Sequence, residues 1–166
     1  MKKRQGGHMK IFNAGDAIQF AIKIEENGRM FYLRAADQSQ AAETRDLFKS
    51  LADEETSHKA VFQEMLTRIE NISPAEQYDG EYDLYLKNYV DGVEVFSEAA
   101  QSGVEDASKD ALSAITFAMR MELDSILYYH EIDQLMGEKY HPIIKKIISE
   151  ERKHFSKLSN QRKDYM

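Results

Sequence analysis

Apolar side chains recur every three or four residues along four long stretches of this chain, and only two prolines occur in its 166 residues. A repeat close to 3.6 residues is typical of amphipathic helices, whereas the period-two alternation of strands is not evident. Because proline breaks a helix interior, its scarcity permits helices of many turns. The predicted helices run from about Asn13 or Asp16 to Asp37, from about Thr44 to Ile69, from Ser108 or Asp110 to about Gly137, and from Pro142 through Leu158.

These four stretches fit one bundle, because each helix would be roughly 30 to 40 Å long at about 1.5 Å per residue. The short links within the first and the second pair predict two antiparallel hairpins. Between them, about 35 residues from Asn71 to Ala107 are long enough to run the length of the bundle, and the stretch YDLYLKNYV suits a short helix. We predict an all-α, single-domain four-helix bundle over residues 9–166, with two antiparallel hairpins joined by a long crossover. Residues 1–8 are interpreted as a tag remnant or a disordered stretch.

Charge and composition argue against several classes of function. The chain has 22 Lys and Arg against 29 Asp and Glu, a net charge of -7, which disfavours nucleic-acid and anionic-membrane partners. It contains no Cys, so disulfides, thiolate metal sites and thiol nucleophiles are excluded within it. Its N-terminal part has no continuous apolar stretch, so we predict neither a secretory signal nor a membrane span and expect a cytoplasmic protein.

The two hairpins share an internal repeat that is centred on Glu25 and Glu122. Alanines lie four and eight residues before each glutamate, and a tyrosine, Tyr32 or Tyr129, lies seven residues after it. The second helix of each hairpin then carries Glu-x-x-His, 30 residues after the first glutamate in one half and 29 in the other. These motifs are Glu55 with His58 and Glu151 with His154. A solvated surface alone rarely produces such symmetry.

Both Glu-x-x-His motifs lie in the apolar stripe of their helices, so their side chains are predicted to point into the bundle. Residues i and i+3 are neighbours on a helix, which turns a carboxylate and an imidazole towards one point. A bare buried carboxylate costs several kcal/mol, while a domain has only about 5 to 15 kcal/mol of stability. Two divalent cations would neutralise four carboxylates and accept two imidazoles, so we predict a dinuclear site. The small residues Ala21, Gly28 and Ala118 would leave it room.

Four segments around these residues resemble the ferritin-like superfamily, and most closely its rubrerythrin-like branch: AIKIEENGRMFY, ADEETSHKAVF, AMRMELDSILYY and IISEERKHF. The resemblance covers most of residues 14–160 and implies a di-iron carboxylate protein with the metal ligands Glu25, Glu55, His58, Glu122, Glu151 and His154. It implies that Glu55 and Glu151 bridge the two metals. It also implies that Tyr32 and Tyr129 hydrogen-bond the ligand carboxylates. Iron is the expected metal, although Mn and Zn also suit these ligands.

The implied function is that of a non-haem di-iron oxidoreductase that reduces H2O2 or O2 under oxidative stress. Rubrerythrins proper carry a Cys-ligated rubredoxin domain, and this chain has no Cys, so an external reductase or electron carrier would supply the electrons. They also place a further glutamate on the third helix, where this chain has Ser125. The alternatives are a ferritin-like protein for iron oxidation and sequestration and a helical interaction module with a vestigial site. We also expect a homodimer.

Several charged residues near the motifs fit a structural role better than a metal-binding one. Glu26, Glu54 and Glu150 are sequence neighbours of the predicted ligands, about 100° away around their helices, so we predict that they face solvent. Asp124 is either a surface residue or an acceptor for a ligand histidine. His130 is predicted to be peripheral.

A third Glu-x-x-His spacing, formed by Glu138 and His141, is a decoy. The two residues straddle the break between Gly137 and Pro142, which are typical of a helix end and a helix start. We therefore predict that they lie in a loop or at the start of a helix, without a metal role.

Overall fold

The structure, a computed structural model, describes residues 14–69 and 110–166. It contains four long helices, which we number α1 (Ala14–Gln38), α2 (Ala42–Arg68), α3 (Ala111–Leu135) and α4 (His141–Arg162). Two short 3-10 helices, Glu138–Tyr140 and Lys163–Tyr165, precede and follow α4. Neither described range contains a strand. The predicted all-α four-helix bundle is confirmed.

Local signals mark most of the helix ends. The Asp110 carboxylate caps α3 by accepting a hydrogen bond from the Ser113 amide at 2.9 Å, which satisfies one of the amides that a helix start leaves unpaired. Pro142 lies in the first turn of α4, where its missing N–H costs nothing. Helix α2 begins before the predicted Thr44, and Ala41 supplies no capping side chain. The sequence therefore held no signal for this start.

Several predictions concern residues outside the described ranges. These are the crossover from Asn71 to Ala107 with its short helix, the helix starts at Asn13 and Ser108, and the tag remnant at residues 1–8. The assignment of residues 9–166 to one domain stays a prediction. Among the helices that the structure does describe, none is long and apolar enough to cross a membrane.

The helices pack mainly as two hairpins, α1 against α2 and α3 against α4. The connection within each hairpin is short, so its two helices are antiparallel. Helix α1 also contacts α3, whereas α2 and α4 approach each other at few points. The two hairpins therefore meet chiefly through their first helices.

The apolar core is divided into two clusters. One includes Phe62, Tyr129 and Ile147, and the other includes Phe31 and Leu51. Along each of the four helices, the chain passes from one cluster to the other through buried acidic or imidazole positions. The polar site therefore lies at mid-height in the bundle, with apolar packing on both sides.

Candidate metal centre

The structure brings together all six of the predicted ligands in the bundle interior. They are 0–4% exposed: Glu25, Glu55, His58, Glu122, Glu151 and His154. They form two overlapping groups in which one ligand atom per residue lies within 4.8 Å of the others. Glu55 and Glu151 belong to both groups, whereas each histidine belongs to one. The arrangement therefore offers two adjacent positions with two shared carboxylates.

The Nδ1 atoms of the two histidines point into this cluster. His58 Nδ1 lies 2.9 Å from one oxygen of Glu151, and His154 Nδ1 lies 2.9 Å from its other oxygen. The oxygens of Glu55 are more distant, at 3.7 Å from His58 Nδ1 and 3.5 Å from His154 Nδ1. The two imidazole rings are stacked, with their centroids 5.5 Å apart. Glu151 thus faces both halves of the site.

Within the described residues, five donor atoms of the cluster are buried and have no partner in hydrogen-bonding geometry, although both Nδ1 atoms lie close to Glu151. They are Glu25 Oε2, both carboxylate oxygens of Glu151, and the Nδ1 atoms of His58 and His154. A buried polar atom without a partner is costly and uncommon, so such a concentration calls for a reason. Carboxylate oxygens and imidazole nitrogens are ligands for divalent iron, manganese and zinc. The residues present therefore fit a pair of metal ions.

The surroundings of the carboxylates disfavour several negative charges at once. Burial, followed by the repulsion of Glu55, raises the pKa of Glu25 well above its usual range. Burial and the charge of Glu151 likewise raise the pKa of Glu122. Burial also raises the pKa of Glu55, but its interactions with Glu25 and the two histidines outweigh burial and lower that pKa to about 2. Without cations, these surroundings favour the protonated form of Glu25 and Glu122, the lone glutamates of the first and third helices, and the charged form of Glu55.

The histidines respond to the same charges in the opposite direction. Burial lowers the pKa of His58, but the nearby carboxylates, Glu151 first among them, outweigh burial and raise this pKa. For His154, Glu122 and Glu151 likewise outweigh burial and raise the pKa. Protons thus partly balance the carboxylates when no cation does, and metal ions would have to displace them.

Two buried tyrosines connect the hairpins at the site. The Tyr32 hydroxyl donates a hydrogen bond to Glu122, and the Tyr129 hydroxyl donates one to Glu25. Each tyrosine thus fixes the lone glutamate of the other hairpin. Burial raises the pKa of both phenols well above its usual range, so both remain donors. These are the contacts that the resemblance implied.

Replacing Tyr129 with Phe is expected to lower metal affinity about tenfold, the lower end of what outer hydrogen-bond partners contribute. The hydroxyl holds Glu25 in place, and its loss leaves that carboxylate free to rotate. Tyr128→Phe is the matched control, because the equally buried Tyr128 donates to the Ala17 carbonyl at 2.9 Å instead. Calorimetric titration with Mn(II) compares the two variants. Equal affinities would contradict this role for Tyr129.

The Nε2 atoms of the two histidines form hydrogen bonds with glutamates that we predicted to face solvent. His58 Nε2 donates to Glu150 at 3.0 Å, and His154 Nε2 donates to Glu54 at 2.9 Å. The prediction of solvent-facing side chains was wrong, because on α2 and α4 a rotation of about 100° from the ligand glutamate leads towards the opposite helix. Asp124, which we considered as an acceptor for a ligand histidine, is half-buried. It is not the acceptor of either Nε2 atom, since these atoms bond Glu150 and Glu54. Each hydrogen bond directs Nδ1 inwards.

Glu26 is the third glutamate that we predicted to face solvent. It is half-buried on the outer side of α1 and α2, where it accepts hydrogen bonds from Arg29 at 2.9 Å and Lys59 at 2.7 Å. These hydrogen bonds lower its pKa to about 2. Glu26 is therefore an ion-pair residue and belongs to neither group of candidate ligands.

Comparisons with known proteins show the family and the fold of the chain. The model of the rubrerythrin family matches residues 16–162. This chain belongs to the rubrerythrin family. A crystal structure described as that of a ferritin-like diiron-carboxylate protein from Thermotoga maritima aligns with a TM-score of 0.69 and 24% identity, over 96% of this chain and 100% of that one. This match shows the ferritin-like fold, and no curated protein matches the sequence. The predicted superfamily and branch are confirmed.

In this rubrerythrin-family chain, a small residue lies three positions after the ligand glutamate of both the first and the third helix. Ser125, three residues after Glu122, is half-buried and supplies no further carboxylate. Gly28 has the same place after Glu25. A Cβ on Gly28 would lie 3.5 Å from Glu55 Cδ, an ordinary van der Waals distance. Contact with Glu55 therefore does not require glycine at this position.

The decoy motif lies where it was predicted. Glu138 begins a 3-10 helix and His141 begins α4. His141 Nδ1 lies 2.8 Å from Asp133 Oδ1. This contact connects α3 with the start of α4. His130 is exposed, and its Nε2 lies 3.2 Å from Arg152 Nη2. Neither histidine belongs to the candidate ligand groups.

Proposed function

We propose that this rubrerythrin-family chain is a non-haem di-iron oxidoreductase that reduces H2O2 or O2 with electrons from an external carrier. The observation that supports this most directly is the buried set of carboxylate and imidazole atoms without hydrogen-bond partners. Two ferrous ions held by these residues would supply the two electrons that, with two protons, convert H2O2 into two waters. The chain has no Cys, so it has no thiolate electron relay of its own.

Each half of the site would supply ligands to one metal ion. Glu25 and His58 would hold one ion, and Glu122 and His154 the other. Glu55 and Glu151 are shared by both candidate groups and would bridge the ions. Hard carboxylate oxygens stabilise the ferric state, which favours iron as the metal for redox chemistry.

The surrounding residues hold this geometry and exclude water. Tyr32 and Tyr129 orient the lone glutamates, while Glu54 and Glu150 orient the imidazoles. The apolar clusters above and below the site keep bulk solvent away. Because water is excluded, the effective dielectric constant is low and the electrostatic interactions within the site are stronger. A role in oxidative stress is part of this proposal, and the homodimer and the cytoplasmic location stay predictions.

A second candidate is iron oxidation and sequestration with little turnover of any other substrate. Ser125 favours it, because this side chain takes the place of the further glutamate that rubrerythrins proper carry on this helix. Peroxidase chemistry that depends on the extra carboxylate would then be weaker. The two functions use the same ligands and differ in the fate of the iron after its oxidation.

Anaerobic loading with two Fe(II) ions per chain, followed by stopped-flow mixing with H2O2 and with O2, tests the proposal. We expect faster iron oxidation by H2O2 or O2 than in buffer alone, and multiple turnovers when a reductant is added. Glu151→Gln is expected to lower the rate to that of unbound Fe(II). Glu138→Gln, in the decoy motif, should keep the full rate.

Each alternative outcome identifies a different function. Growth of a mineral core in large particles would favour sequestration over the oxidoreductase. Binding of fewer than two ions per chain would favour a helical interaction module with a vestigial site. Equal rates for the wild-type protein and Glu151→Gln would contradict chemistry at this centre.

A further inference from the structure

The two halves of the candidate metal centre are related by an approximate twofold repeat. Its paired residues are Glu25 and Glu122, Tyr32 and Tyr129, Glu54 and Glu150, Glu55 and Glu151, and His58 and His154. The hydrogen bonds repeat as well. Each tyrosine bonds a glutamate of the other hairpin, and each of the outer glutamates, Glu54 and Glu150, bonds a histidine of the other hairpin. With two such similar halves, a single unmatched charge is enough to make them differ.

Lys157 carries one charge that has no counterpart in the other half. Its ammonium lies 2.6 Å from Glu54 Oε1, and the Ser50 hydroxyl donates to the same oxygen at 3.3 Å. The other oxygen of Glu54 accepts from His154. In the repeat, the position of Lys157 corresponds to Val61, 96 residues earlier. No cation therefore occupies that corresponding position near His58.

Among the described residues, Glu150, the acceptor behind His58, has only a distant cation. The Lys146 ammonium lies 3.9 Å from its free oxygen, and the Lys146 side chain is 77% exposed. Water screens a pair of that kind, so it contributes little. Glu150 thus keeps most of its negative charge, whereas Lys157 neutralises Glu54. The cations Arg29 and Lys59 are paired with Glu26.

A carboxylate that accepts a hydrogen bond from a ligand imidazole makes that imidazole a stronger donor to metal. Neutralising the carboxylate weakens this effect. His58, bonded to the charged Glu150, is therefore the stronger ligand, and His154, bonded to the neutralised Glu54, is the weaker one. The side chains of Lys157 and Glu54 are 42% and 36% exposed, so solvent screens part of the difference.

We propose that the two metal positions are inequivalent, and that the position of Glu25 and His58 fills before the position of Glu122 and His154 because Lys157 neutralises Glu54. This inference rests on the metal centre of the proposed function and adds an order of loading to it. Lys157 acts through Glu54 and His154, so it is a positioning and tuning residue. The expected ratio of affinities is about tenfold, at the lower end of the range for outer partners.

Nuclear magnetic resonance of 15N-histidine-labelled protein, titrated with diamagnetic Zn(II), tests the order directly. In the wild-type protein, the His58 signals should change during the first equivalent and the His154 signals during the second. Lys157→Met should bring the two transitions together, and Lys157→Arg should restore the order. Lys146→Met is the matched control and should leave the order unchanged.

Exchanging the two matched positions is the stronger test. Lys157→Val combined with Val61→Lys places the cation behind His58, so His154 should fill first. Simultaneous filling in the wild-type protein, an unchanged order in Lys157→Met, or failure of Zn(II) to reach either histidine would overturn the inference. No oxidant is present, so a protein that loads in order but fails to reduce peroxide contradicts only the proposed function.

Discussion

Stripping the metal with a chelator is expected to lower the melting temperature by about 5–16 °C. A ligand that binds only the native state adds about 2.7 kcal/mol of stability at 100 times its Kd and about 4.1 kcal/mol at 1,000 times. Each kcal/mol corresponds to roughly 2–4 °C in a protein of this size. The unfolded chain has no preformed site, so metal binding stabilises folding directly. Scanning calorimetry with and without Mn(II) measures the difference.

Glu151→Gln should remove most of this metal-dependent difference. Both Glu151 oxygens are buried without hydrogen-bond partners, and the carboxylate belongs to both candidate groups. Without metal, the variant should melt below the metal-free wild-type protein, because Glu151 lies 2.9 Å from both imidazoles and removing one partner from a buried set of charges is destabilising. Glu138→Gln, outside the site, should retain the full difference. Equal melting of the wild-type protein with and without metal would rule out a folded-state metal centre.

The ligand positions could be predicted because they depend on local geometry. Spacing of i and i+3 places Glu55 beside His58 in any helix, and the apolar stripe determines which side of the helix is buried. The repeat with Glu151 and His154 then joins two local patterns into one site. None of these steps requires knowing how the helices pack beyond the fact that their apolar faces meet.

The outer residues of the site could not be predicted in this way. Whether Glu54 faces water or a neighbouring helix depends on what packs about 100° around α2 from Glu55, and the answer, His154, lies 100 residues further along the chain. The ion pair of Lys157 with Glu54 has the same origin. A further glutamate directly precedes each Glu-x-x-His motif. This repetition was the available signal that Glu54 and Glu150 have a role at the site.

Metal affinity is expected to fall steeply as the pH is lowered. The pKa values of His58 and His154 are raised by the surrounding carboxylates, which outweigh burial, so both imidazoles hold protons at neutral pH. A metal ion needs the Nδ1 lone pair and must displace them. Burial also raises the pKa values of Glu25 and Glu122, which adds up to two further protons. With at least two protons released, the overall constant for two ions should fall at least about 100-fold per pH unit.

Calorimetric titration with Mn(II) in buffers of different ionisation enthalpy counts the released protons, and between two and four are expected for the fully loaded site. Glu25→Gln should lower the count, because it removes a group whose raised pKa favours the protonated form in the metal-free protein. Glu26→Gln is the matched control, since Arg29 and Lys59 already hold the pKa of Glu26 at about 2. Loading that releases no protons would show that the histidines are neutral before metal binds, and the proposed balance of protons against carboxylates would then be wrong.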